Sequence, residues 1–591
     1  MADTEDQKVD AVARKANSVD IWDRLWSDEG EDSWRKEAMS RTYTRIQRLL
    51  GDSDGEGPGA QVVDIGGGVG FLAKKLNARG FITTVVDHST SALDIANEAG
   101  LITQKLDLIE NPIGWDIPDG GVVIATECIE HFSEKVREQI LYRAKNKAST
   151  AFFSVPNNRL GPDEEPQHTI KWTAIEFKRY LETFWGKGHV RVEALGPYLL
   201  GVCTKEKKSF TLSVCFPARD EEEDIEACLA SYMGVADQMV IGIDPRSEDR
   251  SFEIATWYAD EVFYIEDPMG KTTDEPAPEG GVHFGHIRNE CSDRCTGDWI
   301  FMTEAHERLW TGEDTLLTLK EIMPEGARVA YVYRNGGHAG RRERWAFPWL
   351  YQNGAARWSR NTHNVLHYPE GTYIVRLPQV NTLHERHRDV DIARKAQRKV
   401  QNRTSLLDDW LVNKNVDSLY YLGQELRGIS ELSDDKAIVR FQQFLAQNNG
   451  NGEARYQTRL LLCKMFMVKG DRKEAQAALM ECVNEDWTRT EHWVWLGDLA
   501  YEDGQYEKAY QFYMYAAVRI GSPPFTLWWI DMASYSYIPA QRLAMVCGDL
   551  GKLPEALHWA SRVVDLLPDD AHPQAFEEAE YNVKLLKDTI S

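Results

Sequence analysis

A chain of 591 residues exceeds what one hydrophobic core can organise and implies three or so domains. Its hydrophobic share of 42% and charged share of 27% are ordinary for a soluble globular protein; no apolar run is long enough to span a bilayer and the acidic start MADTEDQKVD lacks a secretory apolar stretch, so a cytosolic location is expected. The net charge of −25 disfavours broad nucleic-acid binding, which needs Lys and Arg to neutralise phosphates.

Residues 1–205 alternate helical and strand patterns. ARKANSVDIWDRLW and WRKEAMSRTYTRIQRLL read as helices, DSDGEGPGA as a loop, and QVVDI, FITTVVD, GVVIAT, AFFSV and YLLGVCT as buried strands. That order implies a parallel sheet with crossover helices. VVDIGGGVGFLAKKL sets Asp64, Gly66, Gly67, Gly68 and Gly70 between a strand and a helix, where glycines let backbone approach a ligand. Alone, the triplet is equally a tight βα turn. The next strand ends in Asp87, whose carboxylate suits the two hydroxyls of a ribose; Asp107 follows in KLDL, then ATECIEHF and SVPNN.

Together these segments, with QHTIKWTAIEFKRYL, resemble the class I S-adenosylmethionine-dependent methyltransferases over residues 60–203. The spacing GGGVG departs from the GxGxxG of dinucleotide enzymes. The resemblance implies S-adenosylmethionine as cofactor: Asp64, Gly66, Gly68 and Gly70 along its methionine part, Asp87 on ribose, Asp107 towards adenine and Glu127 near the methyl group. His131 and His168 are candidates for a general base, with a helix-cap or loop role as the plainer reading of each.

After the charged stretch 204–210 the alternation restarts. TLSVCFPA ends with Pro217 and Ala218 before Arg219 and Asp220; a helix DIEACLASY, the strand QMVIGID with Asp244, and EVFYIED follow. Beyond a Gly/Pro-rich loop at 267–281, GHIRNECSDRC reads as a helix carrying Arg288 and Asn289. Its Cys291 and Cys295 read as buried thiols; the nine cysteines are odd in number and form no CxxC pair, which suits a reducing compartment. In GDWIFMTEAHERLW, strand alternation would turn Glu304 and His306 the same way, with Glu307 beside them; alone, the triplet reads as a polar strand exit. Residues 328–383 read as mixed strands and loops, with the basic GRRERW as a solvated loop.

This series resembles family 2 glycosyltransferases of the GT-A fold over residues 211–390. The resemblance implies a nucleotide-sugar donor held by Pro217, Arg219, Asp220 and Asp244, with Arg288 at the diphosphate. Glu304 and His306 stand in the places of the two acidic ligands, and His384 in NTLHERH in that of a final ligand, for Mn²⁺ or Mg²⁺. Two departures matter: the acidic pair is Glu and His, and THNVLH gives His363 and Asn364 where the family carries a His–Glu pair. Asn takes no proton, so the base falls to Glu307 or His363, or this half is weakly active.

From residue 391 the pattern is helical, with KGDRKEA, DGQYEKA and LGKLPEA ending at Ala475, Ala509 and Ala556, 34 and then 47 positions apart. The longer interval holds an insertion containing SPPFTLWWIDM, and LSDDKA ending at Ala437 is a weaker copy. The period resembles the tetratricopeptide repeat, which implies protein binding, buttressing or oligomerisation. The expected fold class is α/β, two Rossmann-like domains with mixed or parallel sheets, plus an all-α C-terminal repeat domain, divided at 1–205, 206–395 and 396–591. The expected function is a bifunctional transferase: glycosyl transfer to a glycan or protein acceptor and methylation of a sugar or glycan hydroxyl. A scaffold whose repeats bind a protein partner is the alternative; a transferase acting on nucleic-acid bases is disfavoured by the acidic balance.

Overall fold

The structure is a computed structural model describing residues 18, 20–24, 38–51, 59–208, 210–273, 276–277, 281–338, 341–360, 365–384, 392–447, 452–569 and 571–590. The chain divides into two compact units: Met1–Tyr264 with Arg294–Ile300 and Leu317–Glu321, and Ile265–Asp293 with Phe301–Leu316 and Ile322–Ser591. Among the described residues no helix is long and apolar enough to cross a membrane. The α/β sheets followed by a wholly helical C-terminal region match the expected fold class.

The first unit opens with α1 (Ser40–Gly51) and then builds a seven-stranded sheet. Its strands are β1 (Gln61–Ile65), β2 (Ile82–Asp87), β3 (Ile102–Lys105), β4 (Val122–Thr126), β5 (Thr150–Pro156), β6 (Val190–Leu195) and β7 (Tyr198–Thr204). They lie in the order β3-β2-β1-β4-β5-β7-β6; β1 to β5 are parallel and β7 runs antiparallel between β5 and β6. Val62, Val63 and Ile65 of β1 and Val122–Ala125 of β4 are buried, the near-continuous apolar run of strands covered on both faces. The covering helices are α2 (Phe71–Asn77), α3 (Thr90–Glu98), α4 (Glu134–Lys147) and α5 (Ala174–Trp185). A Thr173–Glu176 capping box starts α5. Because the chain goes outward through β2 and β3 and returns to the other side of β1 at β4, the loops part above the β1/β4 boundary. That opens a crevice at the strands' C-terminal ends.

The same unit contains β8 (Leu212–Ala218), β9 (Gln238–Ile243) and β10 (Glu261–Tyr264), parallel and in the order β10-β9-β8, with α6 (Ile225–Tyr232) and α7 (Ser251–Thr256). Polar contacts join them to the seven-stranded part: Lys178 Nζ donates to the Asp237 carbonyl at 2.7 Å, and Asn157 Nδ2 to the Tyr258 hydroxyl at 3.1 Å.

In the second unit, α8 (Phe284–Asp293) precedes β11 (Trp299–Met302), which carries the chain across the division. Next come β12 (Glu307–Thr311), β13 (Ala327–His338), β14 (Arg341–Gln352), the short pair β15 (Arg357–Ser359) and β16 (Val365–His367), and β17 (Tyr373–His384). The order there is β14-β13-β17-β12. From Arg341 on, the expected solvated loop GRRERW is instead the start of β14, paired antiparallel with β13. Arg344 shows why: its Nε donates to Asn335 Oδ1 at 2.8 Å and its guanidinium lies 4.7 Å from the Tyr333 ring centre, so strand alternation turns it inward.

The helical region comprises α9 (Ile392–Asn413), α10 (Asp417–Leu426), α11 (Glu431–Gln447), α12 (Gly452–Lys469), α13 (Arg472–Glu485), α14 (Glu491–Glu502), α15 (Tyr506–Ala517), α16 (Tyr537–Asp549), α17 (Leu553–Leu566) and α18 (Pro573–Ile590). The three sequence copies fall at equivalent turns, between α12 and α13, α14 and α15, and α16 and α17. Each turn has a glycine with φ of 80°, 71° and 73° (Gly470, Gly504, Gly551), and each copy's terminal alanine is fully buried between its paired helices. The insertion has a structural product: β18 (Ile530–Asp531) pairs antiparallel with β14 at Arg344 and Glu343, and the Ala346 N–H donates to the Thr526 carbonyl at 2.7 Å. The period breaks where the helical array lends a strand to the sheet.

Candidate functional site

A cavity of about 400 Å³ lies in the first unit at the C-terminal ends of β1, β2 and β4. Of the residues expected along a cofactor it gathers Asp64, Gly66, Gly68, Asp87, Asp107 and Glu127, together with the candidate bases His131 and His168. Gly66 has φ of 67°, and a Cβ there would sit 2.6 Å from Cys128 Sγ, so the turn after β1 passes too close to the loop after β4 for any side chain. Gly70 is not among the lining residues; with φ of 76° it leads into α2, and a Cβ would drive into Leu101.

Asp87 holds the glycine turn in place: Oδ2 accepts from the Gly68 N–H at 3.0 Å and Oδ1 from the Ser89 N–H at 2.9 Å. Asp107 Oδ1 accepts from the Ile109 N–H at 2.8 Å. Asp64 is 2% exposed, and burial, with the Asp87 carboxylate second, pushes its pKa up to about 7. Glu127 adopts φ of 48°, a left-handed conformation that a β-carbon makes costly, and its Oε1 accepts from Ser154 Oγ at 2.9 Å.

One feature of this wall escaped the sequence reading. Glu130 sits in the single 3₁₀ turn Ile129–His131 after β4, 1% exposed, and one ligand atom from each of Glu130, His131 and His168 lies within 4.8 Å of the others. Burial first, then the Glu127 charge, holds the Glu130 carboxyl well above the usual range. The signal was present in ATECIEHF, where Glu130 and His131 adjoin; His168 is supplied by a distant loop. Trp22, Met39 and Tyr43, from segments before the sheet, also line the cavity; isolated apolar residues in a helical pattern carried no functional signal.

The strand-end loops expected to hold a nucleotide sugar are knitted together in the first unit. The Asp220 N–H donates to Ser247 Oγ at 2.9 Å, and Asp220 Oδ1 accepts from the Glu248 N–H at 2.9 Å. Asp220 has φ of 52°, and Arg219 Nε lies 3.4 Å from its carboxylate. Asp244 is engaged by a residue not anticipated: Arg246 donates from Nε at 2.8 Å and from Nη2 at 2.6 Å. Burial raises the Asp244 pKa, but the Arg246 hydrogen bonds outweigh it and the net shift is downward. Pro217 is the penultimate residue of β8.

The second unit brings Glu304, His306 and His384 together, their ligand atoms within 4.8 Å of one another. Alternation is not the cause: β11 ends at Met302, and a turn closed by the Glu307 N–H to the Glu304 carbonyl at 2.9 Å swings His306 Nε2 to 3.1 Å from Glu304 Oε2. Register does the rest, placing Glu307 of β12 opposite His384 of β17. Two arginines fill the cluster. Arg288 Nη2 donates to Glu304 Oε1 at 2.7 Å, and Arg334 Nη2 to Glu304 Oε2 at 2.5 Å, with Arg334 Nε on Glu307. Burial would raise the Glu304 pKa, but Arg334, His306 and Arg288 hold it well below the carboxylate range. Glu307 is fully buried and accepts from Thr303 Oγ1 at 3.3 Å. Two carboxylates thus face two guanidiniums. His363, with Asn364, lies outside the described residues.

No model of a known protein family matches the chain. A TPR repeat-containing protein of Synechococcus elongatus is 28% identical over 314 residues, covering 51% of this chain and 73% of that one. Similar solved structures include the methyltransferase domain of bacterial CtHen1-CN, 20% identical over 28% of this chain and 97% of that one with a TM-score of 0.24. The DhpI–SAH complex is 15% identical over 32% and 96%, TM-score 0.26. Magnesium protoporphyrin IX methyltransferase (ChlM) of Synechocystis with bound SAM is 16% identical over 34% and 100%, TM-score 0.24.

Proposed function

We propose that the first unit binds S-adenosylmethionine and transfers its methyl group to a hydroxyl, that of a sugar or glycan. The observation that carries this reading is the cavity that joins the glycine turn, Asp87, Asp107 and Glu127 at one end of the sheet. The cavity's chemistry fits the cofactor on two counts: the Gly66 backbone leaves no room for a side chain, and the buried Asp64 Oδ1 has no hydrogen-bond partner among the described residues. Asp64 would meet the cofactor's ammonium, Gly66 and Gly68 would let its backbone neighbours approach, Asp87 would take the ribose hydroxyls and Asp107 the adenine amine. When bound, the cofactor supplies an electrophilic methyl carbon on a sulfonium. That carbon would pass to the acceptor oxygen, with sulfur keeping the pair of the broken carbon–sulfur bond. The hydroxyl proton passes to a basic side chain on the same wall, for which the sequence nominates His168. Calorimetry with S-adenosylmethionine tests the reading: saturable binding is expected, and none would refute it.

A second activity, glycosyl transfer from a nucleotide sugar, is favoured by the convergence of Glu304, His306 and His384. As the resemblance implies, Pro217, Arg219, Asp220 and Asp244 would take the donor's nucleotide, Arg288 its diphosphate, and Glu304, His306 and His384 a divalent cation, with Glu307 or His363 as base. Arg288 and Arg334 already match the two carboxylates, so we expect turnover to depend less on added Mn²⁺ than on Arg334. A donor panel with and without Mn²⁺ that gave neither binding nor turnover would sink it. The helical repeats, as in the relative named for TPR repeats, would hold a protein partner or the acceptor, and the divisions near 205 and 395 would mark the functional domains.

A further inference from the structure

Glu130, His131 and His168 form a unit on the cavity wall, of which the methyl-transfer reading uses only His168. They come from the turn Ile129–His131 and from the loop before α5, and all three face the same cavity. Among the described residues no side chain donates a hydrogen bond to either Glu130 oxygen, and His131 Nε2 stands 4.0 Å from Oε1. A carboxylate so buried needs either a proton or a cation beside it. Arg137 is near enough to influence it, but its Nη1 is directed to the Phe132 carbonyl and to Thr169 Oγ1 at 2.9 Å.

The two imidazoles are fixed in orientation. His131 Nδ1 faces the Gln167 carbonyl at 3.0 Å, and His168 Nδ1 faces the Leu160 carbonyl. A carbonyl only accepts, so each Nδ1 carries the hydrogen and each neutral ring has its lone pair on Nε2. A histidine whose other nitrogen donates to a backbone carbonyl is oriented as metal-ligating histidines are. The charge balance differs from that of the Glu304 cluster, where two guanidiniums already answer two carboxylates.

We propose that Glu130, His131 and His168 bind a divalent transition-metal cation whose open positions face the cavity and hold the acceptor hydroxyl. Two imidazoles and one carboxylate suit Mn²⁺ or Zn²⁺ better than Mg²⁺ or Ca²⁺. Bonds of about 2.1 Å would bring the donors to about 3 Å apart, roughly an ångström closer than the 4.0 Å between Glu130 and His131 and within reach of side-chain rotation. The acceptor's role rests on the methyl-transfer reading; the cation's binding does not. A cation lowers the pKa of a bound hydroxyl, so the proton leaves to the Glu127 carboxylate, oxygen bonds to the methyl carbon, and the sulfonium departs as a neutral thioether. His168 is then a ligand rather than the base.

The experiment is a Mn²⁺ titration of the whole chain, followed by the free-ion electron paramagnetic resonance signal, with Co²⁺ absorption as a second readout of nitrogen coordination. E130Q and H168N are each expected to weaken one Mn²⁺ site at least tenfold, and H306Q to leave that site unchanged. Unaltered Mn²⁺ binding in both E130Q and H168N, loss only in H306Q, or no saturable site for Mn²⁺ or Zn²⁺, would overturn the proposal. S-adenosylmethionine binding, measured in the same proteins, separates the two readings. Cofactor bound without the cation site refutes only this proposal; a cation site in a chain that binds no cofactor refutes only the methyl-transfer reading. Unfolding profiles matching the wild type in either E130Q or H168N exclude simple loss of fold.

Discussion

Replacing Asp64 by Asn tests the cofactor reading through a single proton. Asp64 is 2% exposed at the end of β1, and burial, then Asp87, raises its pKa from 3.8 to about 7. Roughly three units at about 1.4 kcal/mol each amount to about 4 kcal/mol charged against the folded state once the group ionises. The unfolded chain releases this proton near pH 3.8 and the folded one near pH 7. Between those values the folded state binds the extra proton, so this group's contribution to stability falls as pH rises. A cationic group set against the carboxylate would return the pKa towards its ordinary value. At pH 6, below that value, the carboxyl is mostly protonated, so binding of S-adenosylmethionine should release a proton from most molecules. Calorimetry in two buffers of different ionisation enthalpy reads that release directly. In Asp64→Asn it should vanish, with affinity down by about 1.5–3 kcal/mol, the worth of a hydrogen bond to a charged group. Proton release that persists in the variant, or an unchanged affinity, would refute the placement of the cofactor's ammonium at Asp64.

Arg334→Met leaves the fully buried Glu307 without its Arg334 partner and should destabilise the second unit by about 3–5 kcal/mol, read from its denaturant midpoint; a loss below about 1 kcal/mol would contradict the pairing. Gly497→Ala should cost more than Gly504→Ala in thermal unfolding. A Cβ at 497 would lie 2.5 Å from Tyr513 Cδ1, a clash worth about 1–3 kcal/mol, whereas at 504 it meets nothing and pays only about 1 kcal/mol for φ of 71°. His492 is held neutral by burial, its pKa lowered to about 3, while the unfolded chain protonates it near 6.5. Its contribution is therefore intact above pH 6.5 and lost on acidification, and His492→Gln should flatten the fall in melting temperature between pH 6.5 and 4.

Local signals were legible and charge partners were not, for a physical reason. The apolar strands and the glycine turn announce themselves within a dozen residues, because strand burial and backbone approach are short-range demands. The helical copies were readable for the same reason: a glycine at the turn and an alanine between paired helices recur at fixed spacing. By contrast Arg334 stands 30 residues from Glu304 and reaches it only because β13 pairs with β17 and β17 with β12. A slip of one residue in either register would turn Arg334 or His384 to the opposite face. Sequence alternation brought Glu304 and His306 together for the wrong reason, since a turn, not a strand, joins them. Glu130 was missed although it adjoins His131, because its nearness to His168 exists only once the loop carrying His168 has folded onto the turn after β4. Where function depends on which charge is left unanswered, as at Glu130, or is answered, as at Glu304, the deciding quantity is a long-range register. It becomes visible when the sheet is assembled.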